Sequence, residues 1–243
     1  MPAFPQVQAM PHSQISFKTT LLAMTLLVSA AACLAQSTTG TVTMSATVSK
    51  FVEINSGGAV TLTGNLGGGV TTDGVTNSPL AVSINLGELG PGNPNNFVTA
   101  SVPLKLRSNA PYVLSVSATV NSSGTSASRI VSSDIGFGLG TISRTGTGVN
   151  STGTDTNATS GDPTLPANGS VNATTGRYQF TAVRSNLSAF ASATTALSGP
   201  IIMNAVPRSN ANGLTVPAFF AVKPQFFENG TTTISVTFTV TAP

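Results

Sequence analysis

Alternation of apolar and hydroxyl-bearing residues constrains this chain more than any other feature of its sequence. From Tyr112 to Val120 every second residue is apolar, and the residues between them are mostly serine and threonine. Successive side chains of a β-strand point to opposite faces, so the pattern predicts strands with one buried and one polar face. The same alternation recurs in segments starting at Val42, Val60, Leu80, Val98, Ile135, Tyr178, Ile201, Phe219 and Ile234. We therefore expect an all-β chain of about nine or ten antiparallel strands.

Strands with one apolar face stabilise one another when two sheets enclose a common core. No alternation of strands with long helices is visible, so the predicted fold is an antiparallel two-sheet β-sandwich, Ig-like or pilin-like, forming one domain over 36–243. Two residues interrupt this regularity. Lys50 falls on an apolar face, and Pro103 lacks a backbone N–H, so each predicts an edge position or a bulge.

Two segments depart from the alternation. Residues 143–176 are almost wholly Ser, Thr, Gly, Asn, Asp and Pro, which predicts a long exposed loop or a pair of weak edge strands. In 186–198 the apolar residues recur at helical spacing, which predicts one short helix. The residues used for that prediction are Leu187, Phe190, Ala191 and Leu197, with Ser185 or Asn186 as N-cap and Gly199-Pro200 as the stop.

The N-terminal residues 1–35 are interpreted as a secretory signal peptide. Lys18 precedes an apolar run from Leu21 to Val28, and small residues follow it. That run is too short to span a membrane, which takes about 20 residues. The small-x-small triplet Cys33-Leu34-Ala35 predicts cleavage between Ala35 and Gln36. The run Ala30-Ala31-Ala32-Cys33 leaves a second interpretation open, in which Cys33 carries a lipid and the protein is held at a membrane.

Export would remove the only histidine, His12, and the only cysteine, Cys33, and the chain has no tryptophan. Catalysis by Ser-His-Asp or Cys-His groups is then excluded. The seven acidic residues are scattered, so a carboxylate-dependent glycoside hydrolase stays a less favoured alternative. Charged residues are only 7% of the chain, with a net charge of +3 and no basic cluster, which excludes nucleic acid as a partner.

Calcium is the one metal that the remaining side chains favour, because it takes oxygen ligands. Asp155, Asn157 and Asp162 lie within one polar stretch at spacings found in calcium loops. A polar loop without metal explains the same residues, and no other cofactor is expected.

Two pairs of adjacent phenylalanines, Phe219-Phe220 and Phe226-Phe227, follow the apolar pattern late in the chain. Adjacent strand residues face opposite sides, so one ring of each pair is expected to leave the core. An outward ring predicts a binding or subunit surface, and packing beneath a loop is the alternative.

Three segments carry a resemblance to a known group: Thr41–Ile54, Ser108–Val116 and Gly230–Val240. Together they resemble bacterial secreted sandwich proteins related to pilin and spore-coat subunits. The resemblance implies a non-enzymatic structural or surface-interaction protein, a pilus- or coat-like assembly subunit or an adhesin, which is secreted, periplasmic or at the cell surface.

Assembly of that kind implies homo-oligomers, or binding to other subunits or cell-surface components. The donated strand would be Ser37–Val48, whose apolar face is formed by Val42, Met44, Ala46 and Val48. A carbohydrate-binding secreted module is the alternative from a different class of function.

Overall fold

The computed structural model describes residues 44–73, 80–145, 154–202 and 213–243. Its strands all belong to one compact unit, Thr47–Pro243. The predicted signal peptide, Cys33, the Ala35–Gln36 bond and Val42 lie outside the described residues.

Fourteen strands are described, more than the alternation predicted because several are only two or three residues long. They are β1 Val52–Ser56, β2 Thr61–Thr63, β3 Gly69–Asp73, β4 Val82–Asn85, β5 Val98–Ser108, β6 Tyr112–Ser122, β7 Ile135–Leu139, β8 Ser143–Thr145, β9 Thr156–Asn157, β10 Gly169–Val171, β11 Tyr178–Phe180, β12 Thr194–Gly199, β13 Gly213–Val222 and β14 Thr232–Thr241. Three short 3-10 turns accompany them: Ser132–Asp134, Pro166–Asn168 and Leu187–Phe190.

The strands form two larger antiparallel sheets. The first has the order β1-β5-β13-β7, with β2 continuing beside β5 and β8 beside β13. The second has the order β14-β6-β12-β9. Two hairpins, β3 with β4 and β10 with β11, complete the pairing. The long strands β5, β6 and β14 coincide with the strongest alternation, whereas only 219–222 of β13 was predicted as a strand. The all-β, antiparallel part of the prediction is confirmed.

One hydrophobic cluster contains side chains from both larger sheets. Leu104 and Val216 come from the first sheet, Leu114 and Leu197 from the second, and all four are fully buried. Phe137 of β7 lies among neighbouring aromatic rings. Its ring centre is 4.9 Å from that of Phe190, in an edge-to-face arrangement, and 6.3 Å from that of Phe238 in β14. Each such burial contributes about 1.5–3 kcal/mol relative to an exposed side chain.

The prolines of the first sheet sit where its neighbouring strands are interrupted. Pro103 lies within β5, which is paired on both sides and is not an edge strand. Its carbonyl accepts the Gly57 N–H (2.7 Å) in the gap between β1 and β2. Its Cα partner Pro217 likewise accepts the Gly140 N–H (2.8 Å) between β7 and β8. Each proline therefore lies beside a gap between two short strands, so its missing N–H breaks no hydrogen bond to a continuous neighbouring strand.

The predicted helix over 186–198 is wrong beyond its first turn. Asn186 does act as the N-cap, accepting the Ser188 N–H at 2.9 Å, but only the 3-10 turn Leu187–Phe190 follows. Residues 194–199 form β12 against β6, with a register shift between Thr195 and Leu197. That irregularity buries two consecutive apolar residues, so the spacing imitates a helix while the chain is a strand.

Two other expectations change in detail. Of the expected strand Thr41–Ile54, residues 44–54 are described, and within them strand pairing begins at Val52 while 44–51 carry none. The polar segment 143–176 contains β8, β9 and β10 together with one 3-10 turn, so its described part is neither a plain loop nor only a pair of edge strands.

Candidate interaction surface

The edge formed by β14 is the longest unpaired strand edge in the part of the chain that the structure describes. β14 pairs with β6 over its whole length, from Thr232 opposite Ser122 to Thr241 opposite Val113. It ends the order of its sheet, so its other side presents backbone N–H and C=O groups without a described strand partner. Such an edge is a template for pairing with another chain.

This edge lacks the features with which proteins block unwanted pairing. The sequence of β14 contains no charged residue and no proline, and its pairing shows no register shift. Its aliphatic and aromatic residues pack against the core, and the alternate threonines and serine are exposed. Lysine, proline and bulges are the usual means of protecting an edge. β14 is therefore suited to accept a further strand.

The segment that precedes β1 is exposed and has the alternation of a strand. Met44 and Val48 are 90% and 85% exposed, and residues 44–51 are all exposed. Ala46 lies between them in the same phase, so three of the four predicted donor residues are accessible to another molecule. Isolated exposed aliphatic residues are ordinary, so the alternation of these residues in the sequence, and not their exposure alone, makes the segment a candidate donor strand.

Asn109 fixes the point at which this segment enters the folded unit. Its Nδ2 donates to the Ser49 carbonyl (2.8 Å), and its Oδ1 accepts the Phe51 N–H (2.6 Å). The Asn109 backbone N–H donates to the Phe51 carbonyl (3.1 Å). Lys50 Nζ donates to the carbonyl of Pro243, just after β14. Lys50 therefore contacts the residues that follow β14, and it lies before β1 in a segment without strand pairing, where the sequence predicted an edge position or a bulge.

Asp155, the first of the calcium candidates, is held in an ion pair. Arg144 donates from Nε to Asp155 Oδ2 (2.9 Å) and from Nη2 to Oδ1 (2.6 Å). Tyr112 Oη donates to Asp155 Oδ1 (2.7 Å), and burial, then that hydrogen bond, raises the pKa of Tyr112. Both carboxylate oxygens are therefore already used.

The other two calcium candidates serve the local backbone. Asn157 Nδ2 donates to the Leu139 carbonyl (3.0 Å), and Asp162 Oδ1 accepts the Thr164 N–H (2.8 Å). Within the described ranges no three His, Cys, Asp or Glu residues are grouped so that they would hold a metal ion. The structure does not bring the three candidates together as ligands.

A second buried network joins β11 to the turn before β7. Arg177 Nη1 lies 3.3 Å from Asp134 Oδ2, and Gln179 Nε2 donates to Asp134 Oδ1 (3.0 Å). Burial raises the pKa of Asp134, although the Val131 N–H and Gln179 oppose this. The Arg177 guanidinium also lies 5.4 Å from the ring centre of Phe227. Arg177, Asp134 and Gln179 are all buried, so this network is internal and not part of the candidate interaction surface.

Each phenylalanine pair divides between the inside and the outside. Strand geometry predicts this for Phe219-Phe220 in β13, whereas Phe226-Phe227 lies in the loop that follows this strand. Phe220 packs on the core, 5.4 Å from Phe137 between ring centres, while Phe219 lines a surface cleft. Phe227 packs against the core, while Phe226 is 80% exposed.

The cleft beside Phe219 has a volume of about 560 Å³ and is open to solvent. Its lining residues come from separate parts of the chain: Leu139, Gly140, Thr141, Gly161, Asp162, Pro217 and Phe219. Beyond the outward phase of Phe219, no sequence pattern predicted this cleft, because its walls meet only after folding.

The tyrosines bear on the carbohydrate-binding alternative. Tyr112 is buried, as its phase predicted. Tyr178 is half-buried, and Phe97 meets it edge to face with 5.8 Å between ring centres. Lys223 Nζ lies 5.4 Å from the ring centres of both. The two rings are not coplanar, so they do not form a flat platform for stacking a sugar.

Comparisons with protein-family models, curated proteins and solved structures found no match to this chain. Among the described residues no helix is long and apolar enough to cross a membrane. The function is therefore inferred from the residues of the chain itself.

Proposed function

We propose that this protein is an exported, non-enzymatic structural or surface-interaction protein that assembles by strand addition. It acts as a pilus- or coat-like subunit or as an adhesin, and it is secreted, periplasmic or at the cell surface. The observation that carries the proposal is the long uncharged edge of β14 (Thr232–Thr241), together with the exposed alternating segment at 44–48. A membrane anchor enters only if Cys33 is lipidated.

In this assembly the segment Ser37–Val48 of one copy adds to the β14 edge of a neighbour. Added strands gain affinity from backbone hydrogen bonds and specificity from alternate side chains. Each hydrogen bond contributes about 0.5–1.5 kcal/mol net, which does not by itself offset the roughly 1–2 kcal/mol that ordering each residue costs, so burial of the alternate apolar side chains supplies the rest. The apolar residues of the segment would lie beside Ile234, Val236 and Phe238, which alternate in the same way.

The fold class that we propose for this unit is the antiparallel β-sandwich. It is supported by one core cluster that takes side chains from both larger sheets. A sandwich leaves edges at the ends of its sheets, and strand addition uses one of them.

The test is the oligomeric state of the mature chain, 36–243, measured by size-exclusion chromatography with light scattering. Deletion of residues 37–48 should abolish oligomers and leave a monomer with the same circular dichroism spectrum. Serine at Val42, Met44, Ala46 and Val48 together should have the same effect. The matched control replaces Thr43 and Thr47 by serine, which keeps the alternation and should keep assembly. Oligomers that persist after the deletion would overturn the proposal.

A further inference from the structure

The sequence contains one Asp-Pro peptide bond, Asp162–Pro163, which lies in the turn before the 3-10 turn Pro166–Asn168. The prolyl nitrogen carries no hydrogen, and it is a more basic leaving group than the nitrogen of an ordinary peptide bond. An aspartate side chain can reach its own carbonyl carbon through a five-membered ring, so the reaction is intramolecular. A peptide bond of this kind is therefore open to attack by the residue that precedes it.

The carbonyl group of this bond has a side-chain donor. Asn168 Nδ2 donates to the Asp162 carbonyl oxygen. Asn168 is itself fixed, because its carbonyl accepts the N–H groups of Thr181 (2.8 Å) and Ala182 (3.2 Å) and its own N–H donates to the Leu165 carbonyl (2.9 Å). A preorganised donor stabilises the negative charge that develops on a carbonyl oxygen when a nucleophile attacks.

The carboxyl group of Asp162 is exposed and oriented by one neighbour. Its Oδ1 accepts the Thr164 N–H (2.8 Å) and the Thr164 hydroxyl (2.7 Å). No donor from the described residues is found at Oδ2. That oxygen is therefore available as a nucleophile, a role that carboxyl groups take in covalent catalysis.

The turn is packed tightly against β7. Pro163 is buried, and a Cβ added to Gly136 would lie 2.7 Å from the Cβ of Pro163. A Cβ added to Gly138 would collide with the carbonyl oxygen of Gly161, the residue before Asp162. The groups on both sides of the bond are thus held in place, while the cleft lined by Asp162 is open to solvent and admits water.

We propose that this protein cleaves its own chain between Asp162 and Pro163. Oδ2 of the protonated Asp162 carboxyl group adds to the Asp162 carbonyl carbon, and Asn168 stabilises the charge on the carbonyl oxygen. The C–N bond to Pro163 then breaks, the carboxyl proton passes to the prolyl nitrogen, and a cyclic anhydride is left on Asp162. Water opens the anhydride, which restores the side-chain carboxyl group and leaves a new C-terminus at Asp162 and a new N-terminus at Pro163.

The two fragments should stay together after cleavage. Strands β1–β9 precede the bond and β10–β14 follow it, yet β5 pairs with β13, and β6 pairs with both β12 and β14. Both larger sheets therefore contain strands from each fragment. The inference goes beyond the proposed function, and either can fail without the other.

Cleavage should be faster in mildly acidic than in neutral buffer, because the reacting carboxyl group carries the proton that the leaving nitrogen takes up. Two other titratable side chains lie on the segments packed against this turn. Arg184 Nη1 donates to the Thr195 carbonyl (2.9 Å), and Tyr178 Oη donates to the Pro166 carbonyl (3.4 Å). Each is directed to a backbone carbonyl other than that of Asp162.

The test follows the purified protein in mildly acidic and neutral buffer by denaturing electrophoresis and mass spectrometry, with circular dichroism showing that the chain is folded. Fragments ending at Asp162 and starting at Pro163 should appear. The same chain unfolded in urea should cleave about tenfold more slowly or less, because the Asn168 donor is lost. Added hydroxylamine should capture the anhydride as a hydroxamate on Asp162.

Variants identify the groups that act. Asp162→Ala should abolish cleavage, and Asn168→Ala should slow it about tenfold or more. The matched control is Asn172→Ala, which removes an amide that donates to Gln179 Oε1 (2.9 Å) in the neighbouring hairpin and should leave the rate unchanged.

The inference would be overturned if no fragments formed, or if the folded and the unfolded chain cleaved equally fast. Equal rates for folded Asn168→Ala and Asn172→Ala would overturn it too, as would fragments without a hydroxamate, since these would come from direct hydrolysis. The comparison with urea needs no substitution, so it decides the question even if Asn168→Ala does not fold.

Discussion

Replacing Asp155 by alanine should lower the free energy of unfolding of this protein more than replacing Asp162, the other acidic residue of the segment 154–162. Asp155 joins Arg144 of β8 to Tyr112 of β6, so it bridges the two larger sheets. The side chains of Arg144 and Asp155 are only 6% and 8% exposed, so water cannot replace the lost partner. The guanidinium would be left buried without its counter-ion.

The magnitude follows from this burial. Removing one partner of a buried ion pair costs about 3–5 kcal/mol, because an uncompensated charge remains. Tyr112→Phe removes one hydrogen bond to a charged group and should cost about 1.5–3 kcal/mol. The two losses share the atom Oδ1, so the double variant should cost less than their sum. The matched control is Asp162→Ala, since Asp162 is exposed and its loss of a local cap should cost about 0.5–2 kcal/mol.

The assay is urea denaturation of the four variants followed by circular dichroism at neutral pH, with unchanged slopes required for the comparison. Calcium should not raise the unfolding midpoint of the unsubstituted protein, because both oxygens of Asp155 are used. An Asp155→Ala loss no larger than that of Asp162→Ala would refute the reasoning. The reasoning would also be refuted if calcium raised the unfolding midpoint of the unsubstituted protein and Asp155→Ala abolished that rise, since Asp155 would then be a calcium ligand.

Two further predictions test how loops are held on the sheets. Gly138→Ala should destabilise the protein by about 1–3 kcal/mol in thermal melts, because the new Cβ would collide with the Gly161 carbonyl oxygen, whereas Gly92→Ala meets no neighbour and should not. Hydrogen bonds from the backbone and side chain of Ser126 lower the pKa of Glu228, so their stabilisation is present above the unfolded-state pKa and is lost as the pH falls from about 5 toward 3. Glu228→Gln should remove that part of the pH dependence of the urea midpoint, and an unchanged dependence would contradict the assignment.

The strands themselves were largely predictable, because alternation is a local property. In β6 and β14 each apolar residue of the pattern falls on the inner face of the strand. The division of Phe219 and Phe220 followed from the same geometry, whereas Phe226 and Phe227 lie outside the strands. The wrong helix prediction at 186–198 has a local cause as well. The register of β12 against β6 shifts between Thr195 and Leu197, and the alternation of apolar residues alone does not predict where such a shift occurs.

The partners of the charged residues were not predictable. Arg144 and Asp155 are close in sequence, but Tyr112 and the carbonyl of Ile201 complete their network from distant segments. Asp155 is one of the calcium candidates from the sequence, and its pairing with Arg144 and Tyr112 was not predictable from the sequence. The cleft at Phe219 depends in the same way on segments that meet only in the folded chain.

For the long strands β5, β6 and β14 the sequence by itself determined the strand and its apolar face, because both depend on neighbouring residues along the chain. Only the tertiary structure decided that β14 lies at an edge. β6 and β14 have the same length class and the same alternation, yet β6 is paired on both sides and β14 on one. Strand order depends on which apolar faces meet in the core, a long-range choice, and that choice leaves the backbone groups of β14 available for a partner.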